Sequence, residues 1–268
     1  MIVDGRAIAK DMLDQVASNM TLLEAAPRLS IVTCTPDLPT QKYLALKKRK
    51  ATEAGMRVNV IELLDSCDTE DIIKTVQVAA DESDGVIVQL PLPERVDTDK
   101  VLAHVPVSRD VDAIHYAGEG DMLPPVVGAI AQIAERHNVV FADKQVVIIG
   151  AGRLVGAPAL LWVCDQGANV DVITQETETV EAAALLKQAD IIISGAGVSG
   201  LVTVEGVKDG VVIFDAGTSE DGGALVGDAE PEVAEKAALV TPVPGGIGPI
   251  TVACLLQNLA ALTKQKGQ

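Results

Sequence analysis

Short β-branched segments that alternate with helical segments limit what this chain can fold into more than any other feature. Runs of Val, Ile and Leu predict strands over 29–35, 56–63 and 85–90, and apolar spacing predicts helices over 5–25, 39–54 and 69–82. This β-α-β-α-β order predicts a parallel, doubly wound sheet. Aromatic residues make up only 2% of the chain, so the core must consist mainly of Val, Ile, Leu and Ala, which suits buried parallel strands.

The same alternation returns after a stretch, 97–126, that is richer in Pro, Gly and charge. Strands are predicted over 145–149, 169–174, 190–194 and 211–215, and helices over 154–166, 178–188 and 250–263. Because linkers between domains have this kind of composition, we expect a domain boundary inside 97–126. The chain is therefore predicted to be an α/β protein with two doubly wound parallel-sheet domains.

The net charge limits which molecules this protein can bind, and the cysteines indicate in which cellular compartment it lies. The formal net charge of −17 argues against nucleic acid and anionic membranes as partners, because the field of the protein repels both. The four cysteines have no C-x-x-C spacing and lie in apolar stretches, so we expect small core residues in a reducing compartment. The three histidines are scattered, and no metal site is expected. Neither a secretory pattern nor an apolar run judged long enough to cross a bilayer is present, so a cytoplasmic location is expected.

A glycine-containing loop between a predicted strand and a predicted helix indicates a nucleotide site. Its sequence is Gly150-Ala151-Gly152-Arg153-Leu154-Val155-Gly156. Small residues at this point of a Rossmann-type domain let the backbone approach a pyrophosphate at the N-terminus of the helix. The spacing is G-x-G-x-x-x-G, with Val155 where the usual third glycine would stand, so a plain tight turn is an alternative.

A second segment, 195–200, matches G-x-G-x-x-G literally. It also follows a predicted strand, but the next residues do not begin a long amphipathic helix. We therefore interpret it as a loop, including Gly197, that lines the cofactor cleft and does not hold the pyrophosphate. The chain has no G-x-x-x-x-G-K-[ST] motif, so phosphoryl transfer through a P-loop is not indicated.

Five motifs resemble one family and occur in its order along nearly the whole chain. They are Tyr43-Leu44-Ala45-Leu46-Lys47, Val88-Gln89-Leu90-Pro91-Leu92-Pro93, Asp110-Val111-Asp112, Leu225-Val226-Gly227-Asp228 and Thr241-Pro242-Val243-Pro244-Gly245-Gly246-Ile247-Gly248-Pro249. They resemble the bifunctional methylenetetrahydrofolate dehydrogenase/methenyltetrahydrofolate cyclohydrolases, the FolD-type family. The resemblance implies two domains around a cleft, with residues 1–118 binding folate and residues 119–248 binding NAD(P). It also implies that a C-terminal helix at 249–268 packs back on the first domain.

The same resemblance implies a reaction and a partner. Hydride leaves the methylene group of methylenetetrahydrofolate for NAD(P), and water then opens the methenyl product to formyltetrahydrofolate. The expected partners are tetrahydrofolate derivatives and a second copy of the chain in a homodimer. Two alternatives stay open: a monofunctional cyclohydrolase that has lost hydride transfer, and a catalytically silent folate-binding protein.

Four side chains are predicted to be catalytic: Tyr43, Lys47, Gln89 and Asp112. Tyr43 and Lys47 are four residues apart, so both lie on one helix face, although a solvated pair would have the same spacing. In the family the matching Tyr stacks on the folate, the Lys transfers protons, the Gln bonds the Lys, and the Asp bonds the pterin. Without the resemblance, Gln89 could merely cap the strand that precedes it, and Asp112 could be an ordinary carboxylate in a turn.

The backbone of the glycine-rich segment 241–249 is predicted to contact the folate. The predicted substrate contacts there are Pro244, Gly245, Gly246 and Ile247. Glycine permits such a close approach, whereas a bulkier residue would block it.

The chain departs from the family mainly at the cofactor. The basic and hydroxyl residues that would hold a 2′-phosphate are absent, and Ala151, Gln175 and Glu176 stand in their place. Glu176 lies 20 residues beyond Gly156, where NAD-binding domains carry an acid for the ribose hydroxyls. We therefore predict NAD as the preferred cofactor, with NADP as the alternative. The alternative is that Glu176 has no cofactor role and begins the following helix, where an acidic residue in the first turn is favourable. Near the active site, Ala113 replaces the family's Gly.

Overall fold

The computed structural model describes residues 1–21, 23, 25–120 and 122–266, which form two compact units. The first unit begins at Lys10, runs to His115 and resumes at Val252. The second unit consists of Met1–Ala9 and Tyr116–Thr251. The N-terminal residues join the second unit because Ile2 bridges to Val240, and Val3 N donates to Val240 O at 3.0 Å. The predicted ranges had placed these residues with the folate-binding domain.

The first unit is built on a three-stranded parallel sheet. Its elements are α1 (Gly5–Met20, shared with the second unit), β1 (Arg28–Cys34), α2 (Leu38–Glu53), β2 (Arg57–Leu63), α3 (Thr69–Glu82), β3 (Gly85–Val88) and α4 (Thr98–Ala103). The strand order is β2-β1-β3, with Leu29 opposite Val58 on one side and Gly85 on the other. Two of the helices that follow strands have capped N-termini. Asp37 accepts from Thr40 N at the start of α2, and Asp68 and Asp71 form a capping box on α3.

The second unit contains a five-stranded parallel sheet and a small hairpin. Its elements are α5 (Pro125–His137), β4 (Gln145–Ile149), α6 (Gly156–Asp165), β5 (Asn169–Ile173), α7 (Thr179–Gln188), β6 (Ile191–Ser194), β7 (Val212–Asp215), β8 (Ser219–Asp221), β9 (Ala224–Val226) and β10 (Leu239–Val240). The sheet order is β10-β7-β6-β4-β5, and β8 pairs antiparallel with β9. Val147, Ile192 and Ile213 are fully buried in this sheet. The predicted α/β class with two parallel-sheet domains is confirmed.

The last helix corrects one expectation from the sequence. Helix α8 (Ile247–Lys266) contains a 19-residue segment, Ile247–Gln265, whose length and hydropathy would allow it to cross a membrane. The prediction that the sequence contains no apolar run of this length is therefore wrong. In the structure 61% of this segment is buried within the protein, so its apolar side chains pack inside the fold. Within the first unit, Leu259 lies against the backbone of Gly85 in β3.

One of the four cysteines differs from its predicted role as a core residue, and two others lie unexpectedly close together. Cys164 is exposed near the end of α6, because it lies on the face that does not pack on the sheet, so its assignment to the core is wrong. Cys34 and Cys67, distant in sequence, lie with their Sγ atoms 3.2 Å apart as buried free thiols. Parallel sheets produce such meetings because loops after neighbouring strands converge at one edge.

Candidate active site

A buried lysine is the central feature of the first unit. Lys47 lies on the inner face of α2, its exposed fraction is only 4%, and its Nζ donates to Gln89 Oε1 at 3.0 Å. Gln89 follows β3 and is fixed by two further bonds: its Nε2 donates to Leu90 O at 2.8 Å, and its backbone N to Val32 O at 2.8 Å. Burial lowers the pKa of Lys47, and the nearby carboxylate of Asp112 opposes that shift. The amine is thus held in place and can lose its proton more easily than an exposed lysine.

Tyr43 and Asp112 complete this group. The Lys47 Nζ lies 4.6 Å from the centre of the Tyr43 ring, one helical turn away on α2. Burial raises the pKa of Tyr43 far above its usual value, and the charge of Asp112 raises it further. Burial also raises the pKa of Asp112, although the Lys47 ammonium opposes the shift. The four predicted catalytic side chains therefore belong to one cluster, in which Lys47 and Asp112 each favour the charged form of the other.

The loop that carries Asp112 depends on a residue to which the sequence analysis gave no role. Asp110 is 3% exposed, and its Oδ2 accepts from the backbone N of His115 at 3.1 Å. Its Oδ1 has no hydrogen-bond partner among the described residues, and burial raises the pKa of this carboxyl. Ala113 has a φ of 49°, a left-handed conformation that explains why glycine suits this position. The D-x-D spacing of the motif was the available signal for Asp110.

The predicted phosphate loop lies between β4 and α6 in the second unit. Gly150 has a φ of 89°, and a side chain at Gly156 would overlap Gly150 O, so both positions require glycine. A side chain at Gly152 would meet nothing within 4 Å, so this part of the loop faces open space. No side-chain cap hydrogen bond is found at the N-terminus of α6 among the described residues. Ala157 N donates to Gly152 O at 3.0 Å and Pro158 has no N–H, so Gly156 N is the donor that the first turn of this helix can offer an anion. Ala151 and Arg153 are exposed, and Val155 is half-buried against Gly195.

Glu176 lies in a turn and not at the start of a helix. The turn follows β5, with Thr177 N donating to Thr174 O at 3.1 Å and Thr174 N to Thr177 Oγ1 at 3.0 Å. Helix α7 begins later, at Thr179 with Glu178 as its N-cap residue. Gln175 and Glu176 are both exposed at this carboxyl end of the sheet, where α/β proteins bind ligands. The helix-start explanation for Glu176 is therefore excluded.

The literal G-x-G-x-x-G segment is already occupied by a protein carboxylate. Asp228 Oδ2 accepts from Ala196 N at 2.8 Å, and its Oδ1 accepts from Val198 N at 2.8 Å. Those two N–H groups cannot also bind a phosphate. Gly197, between them, is exposed with a φ of 70°, and the segment forms a loop as predicted from its sequence.

The glycine-rich segment before α8 forms a tight turn in the second unit. Gly246 N donates to Pro242 O at 2.7 Å, and a side chain at Gly5 would overlap Gly246 O. Pro244 is exposed and Gly245 half-buried, whereas Ile247 is buried at the first residue of α8. The surface that this turn presents is thus mainly Pro244 and Gly245. Across the described residues, no group of three or more His, Cys, Asp or Glu is placed to hold a metal ion.

Comparison with known proteins gives consistent matches over both units. Two family models match: the tetrahydrofolate dehydrogenase/cyclohydrolase catalytic domain over residues 3–112, and its NAD(P)-binding domain over residues 124–267. The bifunctional protein FolD of Staphylococcus saprophyticus is 33% identical over 99% of this chain and 97% of its own. The FolD crystal structure from Campylobacter jejuni matches with a TM-score of 0.94 at 28% identity, covering 99% of each chain. The FolD structure from Trypanosoma brucei, complexed with NADP and an inhibitor, matches with a TM-score of 0.93 at 30% identity, covering 100% of this chain and 98% of that one.

Proposed function

The chain belongs to the tetrahydrofolate dehydrogenase/cyclohydrolase family, and from this premise we propose which of its residues perform each step. The enzyme oxidises methylenetetrahydrofolate with NAD(P) and hydrolyses the resulting methenyltetrahydrofolate to formyltetrahydrofolate. We assign the hydrolytic chemistry to Lys47, Gln89, Tyr43 and Asp112 in the first unit. The observation that carries this assignment is the buried Lys47 amine, bonded to Gln89 and with a lowered pKa.

Lys47 acts as the proton-transfer group of the hydrolysis. Water forms a bond to the methenyl carbon, and its proton passes to the neutral Lys47 amine. One of the two carbon–nitrogen bonds then breaks, its electron pair passes to the nitrogen, and Lys47 returns the proton to that nitrogen. The added hydroxyl releases its own proton to solvent as it becomes the carbonyl of the formyl group, which stays on the other nitrogen. The lowered pKa of the buried Lys47 favours this role, because the amine exchanges its proton more readily than an exposed lysine does. Gln89 keeps the amine directed at the reacting carbon.

Tyr43 and Asp112 bind the folate in this proposal. The Tyr43 ring, half-buried beside Lys47, offers a flat apolar face for an aromatic ring. The Asp112 carboxylate accepts hydrogen bonds from the amino and ring N–H groups of the pterin, a charge-assisted contact. Pro244, Gly245, Gly246 and Ile247 are assigned to folate contact, with Pro244 and Gly245 presenting most of the surface.

The second unit is the NAD(P)-binding domain. Its phosphate loop fits such a ligand, because Gly150 and Gly156 admit no side chain and the position of Gly152 opens onto free space. We assign cofactor contacts to this loop, to the turn after β5 and to the loop after β6; the residues are Gly150, Ala151, Gly152, Arg153, Val155, Gly156, Gln175, Glu176 and Gly197. A bound nicotinamide cofactor accepts the hydride from the folate methylene group. The residues of the chain would hold it through backbone N–H groups of the phosphate loop and through Gly156 N at the start of α6.

NAD is proposed as the preferred form of the cofactor. Glu176 is exposed at the end of β5, where a carboxylate accepts hydrogen bonds from ribose hydroxyls and repels a 2′-phosphate. Neither Ala151 nor Gln175 supplies a positive charge there. The T. brucei relative was crystallised with NADP, so the proposed preference for NAD would distinguish this chain from that relative.

A homodimer in the cytoplasm, without nucleic-acid or membrane partners, is proposed from the family and from the net charge of −17.

Absorbance measurements of reduced nicotinamide and of methenyltetrahydrofolate test the two activities directly. Purified protein is mixed with methylenetetrahydrofolate and NAD or NADP, and formation of reduced nicotinamide is recorded. In a second reaction, methenyltetrahydrofolate alone is added, and its disappearance above the uncatalysed rate is recorded. Both signals are expected, and loss of either would contradict the corresponding half of the assignment.

A further inference from the structure

Two buried carboxylates in the second unit are paired with no cation among the described residues. Asp215, at the end of β7, is 2% exposed, and Asp228, after β9, is 0% exposed. No ion pair to either occurs within the part of the chain that the structure describes. Their neighbours Gly217 and Gly227 leave room for them, since a side chain at either position would lie 2.1 Å from a carboxylate atom. Burial of two such charges is costly, so backbone donors must stabilise them.

Asp228 uses its bonds to fix the loop after β6. Its Oδ2 accepts from Ser194 Oγ at 2.6 Å and Ala196 N at 2.8 Å, and its Oδ1 accepts from Val198 N at 2.8 Å. Three donors within five residues therefore converge on one carboxylate. Such charge-assisted bonds are stronger than neutral ones, and they set the backbone path from Ser194 to Val198.

Asp215 holds Asp228 in turn. Its Oδ1 accepts from Asp228 N at 3.2 Å and Gly217 N at 2.9 Å, and its Oδ2 accepts from Ala229 N at 2.9 Å. Burial raises the pKa of Asp215, and the charge of Asp228 raises it further. Hydrogen bonds of the two carboxylates thus connect Asp215, at the end of β7, through Asp228 to the loop after β6.

That loop lies directly behind the phosphate loop. A side chain at Gly150 would come within 3.2 Å of Gly195 O, and one at Gly195 would come within 2.5 Å of Val155 Cγ1. A shift of the 195–198 backbone would therefore displace Gly150 and Val155. Both are residues to which the proposed function assigns cofactor contact.

We propose that Asp228 is a positioning residue for the nicotinamide cofactor: its carboxylate holds the 195–198 loop, and that loop keeps the phosphate loop in its binding conformation. Asp215 supports it by fixing its backbone. This inference rests on the proposed function, because it assigns the phosphate loop to NAD(P). It predicts that the two activities separate, since hydrolysis of methenyltetrahydrofolate consumes no nicotinamide cofactor.

The test substitutes Asp228→Asn in the full chain. The amide has one acceptor oxygen instead of two, so one loop N–H or the Ser194 hydroxyl faces an NH₂ group and loses its bond. We expect the KM for NAD(P) to rise about ten-fold or more, with kcat changed less than about three-fold, because a lost bond to a charged group weakens binding by this order. Methenyltetrahydrofolate hydrolysis should stay within about two-fold of wild type.

Two further variants keep the test decisive. Ser194→Ala removes one donor and leaves the backbone bonds, so it should give a smaller rise in the same KM even where Asp228→Asn fails to fold. Asp190→Asn is the matched control: Asp190 is another bonded acid of this unit, accepting from Gln145 N at 2.9 Å and Lys208 Nζ at 2.7 Å, but it precedes β6 at the other end. Its KM for NAD(P) should not change.

Three outcomes would overturn the inference: an unchanged KM in folded Asp228→Asn, an unchanged KM in Ser194→Ala, or a parallel fall of both activities in the variants. The last is what a purely structural role predicts. Absence of nicotinamide reduction by the wild type would contradict the proposed function itself, and is seen before any variant is compared.

Discussion

At the scale of single residues, the account depends most on Lys47. This lysine is buried against Gln89 and has a lowered pKa, so it gives up its proton more readily than an exposed lysine does. Its neighbours Tyr43 and Asp112 lie in the same cluster, so substitutions among these residues are not expected to be additive.

Replacing Lys47 by methionine should remove the proton-transfer group while keeping a side chain of similar length. We expect methenyltetrahydrofolate hydrolysis to fall by roughly a hundred- to ten-thousand-fold, the range typical for loss of a general acid or base. Lys74→Met, at an exposed position of α3, is the matched control and should hydrolyse at the wild-type rate. Lys47→Met hydrolysing nearly as fast as wild type would refute the assignment.

The same variant gives a pH prediction. The pKa of Lys47 is lowered in the folded protein from its ordinary value of 10.5, so between the lowered value and 10.5 the unfolded chain binds more protons than the folded one. Wild-type stability must therefore rise with pH in this window, relative to Lys47→Met, which has no titrating group there. Urea unfolding of both proteins near pH 7 and near pH 10 measures the difference. A constant difference, or one that moves against the wild type, would show that burial does not control this amine.

Glu176 carries the prediction on cofactor choice. The wild type should have the higher kcat/KM with NAD, and the double variant Ala151→Arg with Glu176→Ser should shift the ratio toward NADP by about ten-fold or more, since a charge-assisted phosphate contact is gained and a repulsion removed. Glu178→Ser, two residues on at the N-cap of α7, is the control and should leave the ratio unchanged. Wild-type turnover that is clearly better with NADP would show the proposal to be wrong.

At the scale of elements, α2 brings Tyr43 and Lys47 together, and it also carries a dense basic run. Lys48 is exposed, whereas Lys50 is half-buried and donates to Glu53 at 2.7 Å, with Arg49 within 3.8 Å of the same carboxylate. From the sequence, both Lys48 and Lys50 are predicted to lie on the helix face away from Lys47 or at the cleft rim, where they could attract the glutamate tail of the folate. The bond to Glu53 partly neutralises Lys50, so Lys48 carries more of any attraction to the glutamate tail of the folate.

Neutralising this run tests that attraction. Lys48→Gln with Lys50→Gln should weaken binding of a polyglutamylated folate by about three- to ten-fold at low salt, and less at high salt, because screening removes the effect. Lys10→Gln with Lys74→Gln removes the same charge from exposed sites on α1 and α3 and should have little effect. Equal affinity losses in the two double variants would show only a general effect of net charge.

The elements that the sequence predicted well are those whose patterns are short and apolar. Strand β4 was predicted at its observed bounds, and β5 and β6 within one residue, because buried parallel strands are continuous apolar runs. Helix α5 was missed: it follows the linker-like stretch directly, although Pro125 at its first residue and the spacing of Val127, Ile130 and Ile133 indicate it. The hairpin of β8 and β9 was also missed, since its two three-residue strands are mostly exposed.

The candidate site was predicted in part, for a comparable reason. Tyr43 and Lys47 follow from helical spacing, but their meeting with Gln89 and Asp112 depends on contacts between distant segments, which only the family motifs suggested. The D-x-D spacing marks Asp110 and a family motif includes Asp228, but the roles of Asp110 and of the Asp215–Asp228 pair could not be predicted from the sequence. Their importance lies in which backbone N–H groups they accept from, and that is a property of the folded chain.

At the scale of the whole molecule, the central claim is that one chain performs both reactions, with the proton-transfer group in the first unit and the nicotinamide cofactor bound by the second. Turnover of methylenetetrahydrofolate by the wild type, with NAD and with NADP, tests this most directly. The account predicts reduced nicotinamide with a higher kcat/KM for NAD, followed by conversion of the methenyl intermediate to formyltetrahydrofolate. Hydrolysis without reduction of either cofactor would contradict it in favour of a monofunctional cyclohydrolase, and folate binding without any turnover in favour of a silent binding protein.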